Sequence, residues 1–78
     1  MRIEINEHIV ADTEICGGTP TFKGTRIMVS TVLELLGSGV TIEELMNDYY
    51  PQLTREAILS VFDYTSKLIE NEKRFIVQ

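Results

Sequence analysis

The chain has 78 residues, 44% of them apolar, and 12 acidic against 7 basic residues give a formal charge of −5. A chain this short buries only about 60% of its unfolded surface, so it makes one domain with a small core, and its acidic balance disfavours non-specific nucleic-acid binding driven by phosphate neutralisation. One cysteine excludes an internal disulfide, and Cys16 with His8 cannot make a zinc site by themselves.

From the N-terminus, Arg2-Ile3-Glu4-Ile5-Asn6 alternates, with Ile3 and Ile5 on one face, and predicts a short half-buried strand. Met1 to His8 contains no apolar leader core, and no apolar run nears the ~20 residues a membrane span needs. The expected location is the reducing cytoplasm. Ile9-Val10 and Ile15 read as brief apolar anchors for an N-terminal arm.

Cys16 to Ile27 holds three of the five glycines and one of the two prolines. Glycine at that density marks turns and close chain approach. Thr21-Phe22 and Arg26-Ile27 flank Lys23-Gly24-Thr25, which predicts a hairpin turning near Gly24 and lying across a helical body.

Three helices follow. The first is expected to start near Ser30 as cap and to stop at Gly37-Ser38-Gly39, burying Val29, Val32, Leu33 and Leu36. The second opens on a capping box, Thr41 with Glu44, stapled by Val40 and Leu45, and closes by Tyr49 because Tyr50 precedes Pro51. The third runs from Thr54 to about Asn71, with Ala57, Ile58, Val61, Phe62, Thr65, Leu68 and Ile69 as its apolar stripe.

Arg74 to Gln78 turns β-prone and predicts a terminal strand whose natural partner is Ile3-Glu4-Ile5, within one chain or between two. Exchange of such strands would make a homodimer. The organisation expected is a β-rich arm over residues 1–28, a three-helix body over 29–72 and a strand or tail over 73–78.

Reactive chemistry is scarce. His8 and Cys16 lack nucleophile-elbow or metal-ligand spacing, and Glu43, Glu44 and Asp48 suit a helix N-terminus rather than a metal. No catalytic, cofactor or metal site is expected. Lys23 and Arg26 form a tight basic pair on the hairpin, and the Arg26 fork suits neighbouring carbonyls, Asp12 or Glu14, an acidic partner or a DNA phosphate. The second and third helices make a helix-turn-helix with a long turn. As a DNA reader, the third helix would offer Arg55, Glu56, Leu59 and Ser60, with Arg55 and Ser60 as the groove contacts. Glu56 offsets Arg55, and a scaffold is the favoured reading.

Cys16-Gly17-Gly18-x-Pro20, Gly24-Thr25-Arg26-Ile27, Val29, Gly39, Glu43-Glu44 and Tyr50-Pro51-x-Leu53-Thr54 together resemble the domain-of-unknown-function 433 family over roughly residues 8 to 68. Met28 stands where that family usually has proline, and Thr19 often has a longer polar or charged counterpart there. The resemblance implies a homeodomain-like three-helix fold and an antitoxin role against PIN-type nuclease toxins. It would make Lys73, Arg74 and Phe75 a segment that docks on the nuclease, beside Lys23 and Arg26. The expected protein is therefore a non-catalytic partner-binding homodimer, with DNA-binding regulation as the alternative.

Overall fold

The computed structural model describes residues 1–76, with side chains to residue 72. Three strands, β1 (Arg2–Glu4), β2 (Ile9–Asp12) and β3 (Thr21–Phe22), form an antiparallel sheet in that order. Helices α1 (Val29–Gly37), α2 (Ile42–Glu44) and α3 (Arg55–Ile76) follow, and α2 runs on into a π-helical turn, Leu45–Tyr49.

The arm is a sheet because β1 finds its partner eight residues on. Ile3 faces Ala11 and Glu4 faces Val10, while Ile9 faces Phe22 in the next pair. Asn6 holds the intervening turn, its side-chain oxygen accepting from the backbone N–H groups of His8 (2.7 Å) and Ile9 (2.9 Å). The expected hairpin is present in compact form: the Phe22 N–H donates to the Ile27 carbonyl (3.1 Å), and Gly24 turns the chain at φ 75°. Before it, Cys16–Gly18 makes a single 3₁₀ turn with all three residues at positive φ.

Helix α1 differs from expectation at its start. Met28 is the N-cap and makes no side-chain cap bond, so Ser30 lies inside the helix; the Val29 N–H instead donates to the Pro20 carbonyl at 3.0 Å, which ties the glycine loop to α1. Its end is as expected, with Gly39 at φ 105°. The capping box is complete: the Thr41 hydroxyl accepts from the Glu44 N–H (3.1 Å) and the Glu44 carboxylate from the Thr41 N–H (3.0 Å). Tyr50 leaves helical geometry at φ −133°, ψ 76°, as its position before proline requires.

One core joins these pieces. Ile9 and Phe22 from the sheet, Ile27, Val29 and Val32 around α1, Leu45, Leu53, and Ala57, Ile58 and Val61 on α3 are all buried together. Asn6 adds a polar tether, its side-chain nitrogen donating to the Ser60 carbonyl at 3.4 Å.

Among the described residues there is no C-terminal strand. Residues 73–76 continue α3, since extending an existing helix adds one hydrogen bond per residue without a new nucleus, and β1 is already paired to β2. Residues 77 and 78 lie outside the described residues.

Candidate interaction surface

Helix α3 begins on the side chain of Thr54, whose hydroxyl accepts from the Ala57 N–H at 3.1 Å. With that register Ala57, Ile58 and Val61 meet the body. Tyr64 and Thr65 are half-buried, and every described side chain from Ser66 to Glu72 is exposed. A helix of 22 residues is about 33 Å long, so close to half of α3 reaches past the packed body. The molecule measures 44 × 31 × 19 Å with a radius of gyration of 13.3 Å, against about 11.5 Å for a compact chain of this length.

The stripe expected to be core is split by this geometry. Leu59 is 46% exposed, Phe62 45%, Leu68 47% and Ile69 60%. Phe62 sits on the flank of α3, and Leu68 and Ile69 lie beyond the last buried layer. Full burial of such side chains is worth about 1.5–3 kcal/mol each, so covering the remaining half is worth about 1 kcal/mol per residue. Leu59, Phe62 and Ile69 lie along one side of α3, whereas Leu68, nine residues after Leu59, stands on the side opposite to it.

The hairpin pair does not form one basic site. Lys23 reaches the Glu4 carboxylate at 3.1 Å, while Arg26 is exposed and joins no ion pair among the described residues. Neither expected carboxylate holds it: Asp12 lies 3.7 Å from Arg2, and the Arg26 carbonyl accepts from the Cys16 thiol at 3.6 Å. Lys23 lines a cavity of about 190 Å³ with Glu7, His8 and Gln52 over a floor of Phe22 and Leu53. Sequence reasoning missed this cavity because its walls come from three turns far apart in the chain.

The two DNA-reading candidates are both engaged. Arg55 is ion-paired with Glu43, which bridges α3 to the start of α2, and the Ser60 hydroxyl donates to the Ala57 carbonyl at 2.7 Å. Tyr50 is half-buried against the core and Tyr49 lies tilted to it at 6.4 Å between ring centres, so Tyr50 is a packing residue. The side chains of Lys73, Arg74 and Phe75 lie outside those described.

Two carboxylates titrate below their ordinary range. Glu4 is held down first by its hydrogen bond from Lys23, and Glu44 by the Thr41 backbone N–H and then the Thr41 hydroxyl. Both are structural contacts at the surface. Among the described residues no three metal-ligating side chains cluster, and no helix is long and apolar enough to cross a membrane.

A family model described as "Protein of unknown function (DUF433)" matches residues 9–65. The crystal structure of a DUF433 member protein from Anabaena variabilis ATCC 29413 is similar at 30% sequence identity and a TM-score of 0.74, covering 95% of this chain and 72% of that one. No curated protein matches the chain.

Proposed function

Since the chain belongs to the DUF433 family, we propose that it works without catalysis, as a protein-interaction module of the antitoxin kind that docks on a PIN-like nuclease toxin and covers its active site. The observation that carries this reading is the second half of α3, a helix with Leu68 and Ile69 exposed beyond the body and with Leu59 and Phe62 open on its flank. Most helical stability in proteins comes from packing an amphipathic face, and here that face waits for a second molecule.

The side-chain inventory supports the same reading. Ser60 donates its hydroxyl within its own helix, and Lys23 spends its charge on Glu4. DNA regulation, the alternative, would have to recruit Arg55 away from Glu43.

Native co-purification of the tagged chain from its own cell, washed at high salt, tests the proposal. A nuclease-like protein retained by the wild type and released by Phe62→Asp is the expected result. Recovery of the chain alone, or of promoter DNA held with a steep salt dependence, overturns it.

A further inference from the structure

This inference rests on the interaction reading above and concerns what the partner must look like. Leu59, Phe62, Ser66 and Ile69 stand at i, i+3, i+7 and i+10, the seam spacing by which one helix packs along another. Leu59, Phe62 and Ile69 supply apolar knobs. Ser66, small and exposed between Phe62 and Ile69, leaves a hole that a large side chain fills.

One edge of the seam is acidic throughout. Glu56, Asp63 and Glu70 recur every seven residues beside it, all exposed, and Glu72 lies on the other edge near Thr65. Lys67 sits 3.2 Å from Asp63, but this is an exposed pair one turn apart, and solvent screens it. Lys73 and Arg74 follow the row in sequence, past its last member.

A second copy of this chain does not complement that edge. Antiparallel pairing of two α3 seams sets the acidic row of one against the acidic row of the other. Parallel pairing sets Thr65 against Glu70 and buried Ile58 against Asp63, with no opposite charge on either. We propose that the α3 seam takes an amphipathic helix of a different protein, with large apolar side chains along its own seam and Lys or Arg along the edge that meets Glu56, Asp63 and Glu70. The apolar seam supplies affinity, and the charged edges set register and exclude acidic helices.

Two synthetic helical peptides with the same leucine seam, one edged by lysine and one by glutamate, test this on the full chain by calorimetric titration. The expected result is about tenfold tighter binding of the lysine peptide, as two or three rim charges supply. Asp63→Lys with Glu70→Lys should abolish that preference, whereas Glu14→Lys with Glu34→Lys, the same change in net charge away from α3, should keep it. Phe62→Asp and, separately, Ile69→Ser should weaken both peptides, with circular dichroism reporting the fold. Equal loss of preference in the two double variants would reduce the effect to bulk charge and overturn the proposal. So would light scattering that finds a dimer dissolved by Phe62→Asp. Cellular partner capture that survives Asp63→Lys with Glu70→Lys but not Phe62→Asp would sink this inference and leave the interaction reading standing.

Discussion

The side chain of Asn6 joins two distant parts of the sequence: its nitrogen donates to the carbonyl of Ser60, 54 residues away, while its oxygen closes the β1–β2 turn. The first contact fastens the sheet to α3 and the other two shape the turn that presents it.

Asn6→Ala removes all three bonds, two of them short. At about 1 kcal/mol net for each turn bond, it should cost about 2 kcal/mol, a fall in Tm on the order of 10 °C for a domain of this size. Asn6→Asp keeps the acceptor and loses the donor, so its Tm should fall between the two. Thermal unfolding by circular dichroism reads both. An Asp variant as damaged as the Ala variant would show that the tether to Ser60, not the turn, dominates.

Gly24 and Gly37 have equally open surroundings, with no atom within 4 Å of an added Cβ at either. They differ in backbone: Gly24 stands at φ 75°, and Gly37 is the last residue of α1. Gly24→Ala should destabilise by about 1–2 kcal/mol, because an L-residue is strained in the left-handed region, whereas Gly37→Ala should stabilise by about 0.5 kcal/mol through lower unfolded-state entropy. Urea titration gives both signs. Loss of stability at both positions would mean that space, and not φ, decides.

Glu4 and Glu44 titrate lower when folded than when unfolded, Glu4 through Lys23 and Glu44 through Thr41. Each therefore adds stability that is complete above the unfolded carboxylate pKa, about 4.3, and disappears as the pH falls through the lower folded value. The wild-type Tm should drop between pH 6 and pH 3 by more than that of Lys23→Met, which lacks the Glu4 contact, or of Glu44→Gln, which lacks the titrating carboxylate. Parallel Tm profiles for all three proteins would refute the assignment.

What lay within a few residues in sequence was legible. The Thr41–Glu44 box, the left-handed stop at Gly39 and the break at Tyr50 before Pro51 are decided by backbone groups and side chains less than one turn apart, and a sequence displays such pairs directly. The family resemblance was legible for the same reason, because its glycines and prolines mark local backbone geometry. Strand β2 was not, because Ile9 and Val10 are both buried, Ile9 facing Phe22 and Val10 facing Thr21 on the opposite face, so the alternation that announces a half-exposed strand is missing.

Helix α3 shows the same division. Its period was plain in the order of its residues, and its cap at Thr54 with it. Ile58 and Ile69 are the same amino acid on the same helix, yet Ile58 is fully buried and Ile69 is 60% exposed. Composition and periodicity determined that this chain builds a small acidic three-helix body behind a glycine-rich hairpin. Only the tertiary structure decided where that body ends along α3, because burial depends on what other elements can reach, and the sheet, α1 and α2 pack against α3 no further than its middle.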